Sequence, residues 1–178
     1  MDFGSRNVKK RELSIELVTV LARLLTRYGN RVGAVIYRNG RYQVVPPRGG
    51  RRQVLHLLDR MQRVDEQADG RETDLAGLLK NAQQAIKRRS AIFIVSDFIS
   101  TPGWGKALSL LARRHEIVAA RLFDPMEQAL PDLGFVVLQD AETGEQIFVD
   151  TQDKGFRERF REGAERREGG AAYRRSAA

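Results

Sequence analysis

The stretch from Ser90 to Phe98, SAIFIVSDF, constrains the fold of this chain more than any other. Its centre, Ile92 to Val95, is an uninterrupted apolar run, which is typical of a strand buried on both faces in a parallel sheet covered by helices. Ser96 and Asp97 follow this run directly. Because open α/β folds bind ligands at the carboxyl ends of their strands, the sequence predicts that Asp97 lies at a ligand-binding rim.

Helical and strand patterns alternate on both sides of this stretch. Apolar residues spaced by three and four predict helices over residues 8–28, 53–64, 73–89 and 106–114. Apolar runs predict strands over residues 31–37, 42–45 and 116–123, and Asn39-Gly40 predicts a hairpin turn between the first two. Pro46 and Pro47 are expected to end the second of these strands. This alternation predicts an α/β fold with a parallel-dominated sheet.

The chain changes character after residue 130. Residues 135–138 and 146–149 flank the sequence DAETGE and predict an antiparallel hairpin with its turn at Thr143-Gly144. A charged helix follows from residue 151, with Phe156, Phe160 and Ala164 as its apolar stripe. The predicted organisation is therefore a core over residues 1–130, with a hairpin and helix over residues 131–178 packed on or beside it.

Charge and composition limit the possible functions. Thirty-one Lys and Arg against 23 Asp and Glu give a net charge of +8, which permits attraction to phosphates or to an acidic partner. A basic nucleic-acid-binding protein is therefore a second hypothesis, although the basic residues are spread along the chain without interleaved aromatics. The absence of cysteine excludes disulfides and thiolate chemistry.

The common enzyme and membrane signals are absent from the sequence. Neither G-x-S-x-G nor G-x-x-x-x-G-K-[ST] occurs, so we predict that the chain is not an enzyme. No apolar run approaches the ~20 residues of a membrane-spanning helix, and residues 1–11 do not resemble a signal peptide. We therefore expect a cytoplasmic protein.

The order of several segments resembles a von Willebrand factor A-like domain, in detail the bacterial domain-of-unknown-function family fifty-eight, usually encoded beside MoxR-type AAA+ ATPases. The matching stretches are FGSRNVKKRELSIEL at 3–17, NRVGAVIY at 30–37, PPRGGRR at 46–52, TDLAGLL at 73–79, IVSDF at 94–98, RRHEIVAARLFDPMEQALPD at 113–132, and DAETGE with VDT between 140 and 151. The resemblance implies a Rossmann-like von Willebrand factor A-type sheet, mostly parallel with an antiparallel edge strand.

Domains of this type commonly carry a metal-ion-dependent adhesion site. There a D-x-S-x-S loop, a threonine from a second loop and an aspartate from a third bind a divalent cation. The resemblance implies that Thr73 and Asp97 are these last two ligands, and that Mg²⁺ or Mn²⁺ binds in intact relatives with a position left for a partner's carboxylate. It therefore implies a non-catalytic protein–protein interaction module, whose partner is a MoxR-type AAA+ ATPase or another protein with an acidic docking residue.

The resemblance also implies that part of the site is missing. In family members the D-x-S-x-S loop lies immediately before the segment that matches Met1 to Ser5, so the first, central strand is expected to be absent and the carboxyl end to be short. Asp2 and Ser5 are the nearest oxygen ligands, but their spacing does not reproduce the motif. We expect a truncated chain with a partial metal site that binds no cation by itself, and with two unpaired strand edges.

Simpler roles are available for each of these residues. Thr73 is equally well explained as the N-cap of the helix that follows it, and Asp97 as a cap for its own loop. His56 and His115 lack a neighbouring ligand or nucleophile, and we expect both to be structural or solvated. Trp104 is either a partner-contact anchor near the rim or an aromatic side chain folded onto the core.

Overall fold

The computed structural model describes residues 10–38, 40–63, 73–101, 103–124, 131–139 and 146–173. The helices in these residues are α1 (Lys10–Arg27), α2 (Arg51–Gln62), α3 (Leu75–Ala85), α4 (Trp104–Ala112) and α5 (Lys154–Tyr173). The strands are β1 (Val32–Arg38), β2 (Arg41–Arg48), β3 (Ala91–Ser96), β4 (Glu116–Arg121), β5 (Phe135–Gln139) and β6 (Gln146–Asp150). No helix in these ranges is long and apolar enough to cross a membrane.

The described strands form three two-stranded sheets. β1 pairs with β2 and β5 pairs with β6, both antiparallel, whereas β3 and β4 are parallel. The mixed α/β character is thus confirmed, whereas a single, mostly parallel sheet stays a prediction. Among the described residues β1 and β3 do not pair with each other, and both antiparallel pairs join strands close in sequence, where a parallel pair would need a long crossover.

The first hairpin forms where Asn39-Gly40 predicted it. Gly40 has a φ of 71°, the left-handed conformation that such a turn requires. β2 continues through Pro46 and Pro47 to Arg48, so the expectation that these prolines end the strand is wrong. β2 is an edge strand of its sheet, where missing proline N–H groups are tolerated. The pairing register between β1 and β2 shifts near Gly33. A side-chain Cβ in place of the Gly33 hydrogen would lie 2.7 Å from the Val45 carbonyl oxygen.

Two apolar clusters hold the first part of the chain together. One joins α3, β3 and α4 through Leu75, Leu79, Ile94, Trp104, Ala107 and Leu111. The other joins α1, β2 and α2 through Ala22, Val45, Val54 and Leu57. Helix α1 also contacts both β1 and β3, which places these two strands beside the same helix.

β3 is covered less completely than its sequence predicted. Ile94 is buried in the cluster with α3 and α4, and Ile92 packs against it. Phe93 points to the opposite face and is 37% exposed. Val118, its pairing partner on β4, is 49% exposed. The prediction of a strand buried on both faces is therefore wrong, because α3 and α4 cover one face and the other stays partly open.

Helix α1 shows a similar departure. Leu13, Val20 and Leu24 belong to the predicted apolar stripe, yet all three are exposed, whereas Ser14 and Ala22 are buried. The helix itself agrees with the prediction to within two residues at each end. Its apolar stripe is thus rotated partly away from the described core.

Side-chain contacts link the residues before β5 to those after β6 and to α5. Thr151 is fully buried, and its Oγ1 donates a hydrogen bond to the Gly134 carbonyl oxygen at 2.7 Å and accepts one from the Leu133 N–H at 2.9 Å. Arg157 pairs with Asp132 at 3.4 Å. The predicted turn at Thr143-Gly144 lies outside the described residues, and the division at residue 130 stays a prediction.

His115 is a buried histidine near the start of β4. It lies between α4 and β4, is 5% exposed, and neither ring nitrogen has a hydrogen-bond partner among the described residues. Burial, with a smaller contribution from the charge of Arg114, lowers the pKa of His115. The folded state therefore binds this proton less readily than the unfolded chain, whose histidine pKa is about 6.5.

We expect the free energy of unfolding to fall as pH drops below about 6.5 toward the lower folded-state pKa, by at most about 1.4 kcal/mol per pH unit from this group. Urea denaturation between pH 7.5 and 5.5 measures the slope. His115→Leu removes the titrating group and should flatten the slope. An unchanged slope in His115→Leu would contradict this assignment.

Candidate functional site

The loop after β3 is folded by its own side chains. Ser96 Oγ accepts a hydrogen bond from the Phe98 N–H at 3.1 Å, and Asp97 Oδ1 accepts one from the Ile99 N–H at 3.1 Å. Phe98 has a φ of 61°, an uncommon conformation for a bulky residue. Strain of this kind persists only where the surrounding structure imposes it, and it concentrates at functional sites.

An aromatic contact holds the loop against the core. The Phe98 and Trp104 rings lie 5.6 Å apart between centroids, and Trp104 is buried in the cluster of α3, β3 and α4. Of the two alternatives for Trp104, the structure therefore supports the core aromatic and not the exposed anchor. The contact fixes Phe98 and hence the neighbouring Asp97.

Ser100 connects this loop to the beginning of α3. Its Oγ donates a hydrogen bond to the Thr73 carbonyl oxygen at 2.6 Å and accepts one from the Leu75 N–H at 3.0 Å. The structure thus places Thr73 and Asp97 on two loops that are directly joined at the carboxyl end of β3. We call residues 73–75 and 96–100 the rim.

The N-cap of α3 is Asp74, so the interpretation of Thr73 as the cap is wrong. Asp74 Oδ1 accepts a hydrogen bond from the Gly77 N–H at 2.8 Å, which satisfies a backbone donor in the first turn of the helix. The helix begins at Leu75 and ends at Ala85, so the basic residues 87–89 lie beyond its last turn.

Tyr42 of β2 fixes the second oxygen of this cap. Its hydroxyl donates a hydrogen bond to Asp74 Oδ2 at 3.0 Å, and its ring lies 5.1 Å from that of Tyr37. Burial, followed by the hydrogen bond to Asp74 and the charge of Asp74, raises the pKa of Tyr42 to about 12. Both carboxylate oxygens of Asp74 are thus used structurally, so Asp74 acts as a link between β2 and α3.

Replacing Asp74 should destabilise the fold through this link. We expect Asp74→Ala to lower the free energy of unfolding by about 2–3 kcal/mol, because it removes the cap and leaves the Tyr42 hydroxyl without its carboxylate partner. Thermal or urea denaturation measures the change. Asp74→Asn retains an oxygen for the Gly77 N–H and should lose less; equal losses in the two variants would contradict the assigned cap.

Sequence reasoning missed Tyr42, Asp74, Gly77 and Ser100. Asp74 is itself an N-cap residue type beside Thr73, so the pair carried a signal that the cap could lie one residue later. The contacts of Tyr42 and Ser100 cross 32 and 25 residues of sequence, and no local pattern indicates them.

The partial metal site stays a prediction. No group of three or more His, Cys, Asp or Glu side chains within the described ranges is placed to hold a metal ion. The predicted donors in these ranges are the Thr73 hydroxyl and the Asp97 carboxylate, which supply too few oxygen ligands for a divalent cation. The other two predicted candidates, Asp2 and Ser5, lie outside the described residues.

Comparisons with known proteins identify relatives of this chain. Residues 1–169 match the family described as "Protein of unknown function DUF58". Uncharacterized proteins of Mycobacterium tuberculosis and Mycobacterium bovis are each 35% identical over 144 residues, which covers 81% of this chain and 45% of the relative. An uncharacterized Mycobacterium avium protein is 39% identical over 100 residues, covering 56% of this chain and 59% of the relative.

The chain spans about half the length of the Mycobacterium tuberculosis and Mycobacterium bovis relatives. No solved structure matches it. The family match covers most of the chain, so it is the finding that decides the assignment. The chain belongs to the DUF58 family.

Proposed function

We propose that this chain is a non-catalytic protein–protein interaction module of the von Willebrand factor A type, and that the rim is its docking surface. The observation that carries the proposal is the Ser100 link, which joins the loops of Thr73 and Asp97 at the carboxyl end of a parallel strand pair. Open α/β folds bind their ligands at this end.

The arrangement of the strands supports the proposed fold type. Among the described residues, β1 and β3 each pair on one side only, and α1 contacts both of them. In a von Willebrand factor A-type sheet, a central strand would lie between β1 and β3.

The rim offers a carboxylate in a fixed orientation. Asp97 Oδ1 is held by the Ile99 N–H, while Oδ2 has no hydrogen bond to the described part of the chain. Thr73 contacts Ser100 through its carbonyl oxygen. In a domain of this type that carries a D-x-S-x-S loop, the loop would add further oxygen ligands, and the bound cation would take a partner's acidic side chain. We propose a MoxR-type AAA+ ATPase as the partner, on the resemblance alone.

Metal titration tests whether Thr73 and Asp97 suffice to hold a cation. We expect no saturable binding of Mg²⁺ or Mn²⁺ to this chain by calorimetry, because the described donors are too few. A polypeptide in which a strand bearing D-x-S-x-S precedes the chain should bind the ion. Saturable binding to the chain by itself, abolished by Asp97→Ala, would contradict the incomplete site.

Partner binding tests the function. We expect Asp97→Asn in the polypeptide that carries the D-x-S-x-S strand to weaken binding of a purified MoxR-type AAA+ ATPase at least about tenfold in the presence of Mg²⁺, since charged contacts contribute roughly 1.5–3 kcal/mol. Asparagine can still accept from the Ile99 N–H, so the loop should keep its fold.

The matched control is Asp59→Asn on α2, which removes the carboxylate of an exposed ion pair with Arg63. This variant should bind the ATPase as the unmodified protein does. A chelator should abolish binding. Equal effects of the two substitutions, or no binding of the ATPase by the unmodified protein, would contradict the proposal.

A further inference from the structure

A second concave site lies where β2 ends and α2 begins. It is a cleft of about 430 Å³ formed by the PPRGGRR stretch and the first turns of α2. Arg48, Arg52 and His56 line it together with Pro46, and none of its lining residues is acidic. The proposed docking function makes no use of this cleft.

The polar side chains that line the cleft are not paired with carboxylates. Arg48, Arg52 and His56 are exposed, and none of them makes an ion pair or side-chain hydrogen bond with the described part of the chain. Asp59, the acidic residue of α2, pairs at 2.9 Å with Arg63, which follows the last residue of the helix. Two guanidinium groups and an imidazole therefore face a concave surface without a counter-charge, which favours an anion there.

The backbone that carries these side chains is fixed. Gln53 is 4% exposed, and its Nε2 donates hydrogen bonds to the Val32 carbonyl oxygen at 2.8 Å and to the Pro46 carbonyl oxygen at 2.9 Å. One buried amide thus ties α2 to both strands of the hairpin. The position of Arg52 relative to Arg48 is set before a ligand arrives, which lowers the cost of binding.

We propose that this cleft binds the phosphate group of a small molecule. Guanidinium groups pair with phosphate through two parallel hydrogen bonds, and a phosphate dianion matches the surplus of positive charge better than a single carboxylate does. The volume falls within the roughly 300–1,000 Å³ of small-molecule sites. Pro46 and the buried Val45 give the ligand an apolar wall beside the arginines.

Titration of the whole chain by calorimetry or NMR tests this assignment. The probes are inorganic phosphate, glycerol phosphate as a phosphate monoester, and acetate as a carboxylate. We expect saturable binding of a phosphate probe, weakened at least about tenfold by Arg48→Ala or by Arg52→Ala. Tighter binding of glycerol phosphate would identify an ester as the ligand, and equal or tighter binding of inorganic phosphate would identify free phosphate.

Arg51→Ala is the matched control, because it removes the same charge from the neighbouring position, which does not line the cleft. It should change the affinity less than twofold. Equal losses from Arg51→Ala and Arg52→Ala would overturn the proposal in favour of general attraction of polyanions, including nucleic acid. Binding of acetate as tight as that of phosphate, or no saturable binding of either phosphate probe, would also overturn it. Asp97→Asn should leave phosphate binding unchanged, so this test is independent of the docking function.

Discussion

Leu111→Ala is expected to lower the free energy of unfolding by about 2–5 kcal/mol, the largest loss we predict from a single truncation. Leu111 on α4 is 0% exposed and belongs to the apolar cluster of α3, β3 and α4, which positions the rim. Removing its side chain takes apolar contacts from all three elements and leaves a cavity. Urea denaturation at neutral pH measures the change.

Leu110→Ala is the matched control for this prediction. Leu110 is the preceding residue on α4 and is 41% exposed, so the same truncation removes much less buried surface. We expect a loss of less than about 1 kcal/mol. If the two variants were destabilised equally, the packing of α4 against α3 and β3 would be wrong.

Gly77→Ala is expected to cost about 2–4 kcal/mol of unfolding free energy. A Cβ at this position would overlap the Tyr42 hydroxyl and Asp74 Oδ2, so the cap of α3 and its link to β2 could not both persist. The loss corresponds to an N-cap and a hydrogen bond to a charged group. Alanine is otherwise the better helix residue, so intrinsic helix propensity opposes the loss.

Gly163→Ala provides the comparison, because it makes the same change within helix α5, where a Cβ would meet nothing within 4 Å. This variant should be unchanged or more stable by up to about 1 kcal/mol. The double variant Gly77→Ala with Tyr42→Phe should lose less stability than the two single losses added together, since one clash is removed. Stabilisation by Gly77→Ala would contradict the described cap.

The sequence predicted most helices and strands because the residue patterns that indicate them are local. Asn39-Gly40 correctly predicted the antiparallel pairing of β1 and β2, and the run from Ile92 to Val95 correctly predicted a strand, which the structure pairs in parallel with β4. The exact ends were less accurate. α3 begins at Leu75 because Asp74 caps it, although Thr73 is an equally suitable residue type.

Burial and strand pairing depended on neighbours that a local pattern does not specify. The apolar run of β3 suggested cover on both faces, but Phe93 is left partly open because α3 and α4 pack on the other face. Pro46 and Pro47 remain in β2 because the pairing register between β1 and β2 shifts at Gly33. These outcomes follow from how distant segments meet.

The rim was predictable only in part, because some of its contacts join distant segments of the chain. Asp97 could be placed at the end of β3 from the apolar run before it, and the structure places it there. The residues that hold the rim, Tyr42 and Ser100, act across long sequence separations and carry no motif of their own. Their roles could be read only from the folded chain.

The central claim is that the rim is the docking surface, and the most direct test is an NMR map of the backbone amides during titration with a purified MoxR-type AAA+ ATPase. The map should use the polypeptide that carries the D-x-S-x-S strand, in the presence of Mg²⁺. We predict that the largest shifts fall on Leu75, Phe98 and Ile99, whose N–H groups belong to the rim. Shifts confined to α2 or to the β5–β6 hairpin, with the rim amides unchanged, would contradict the account.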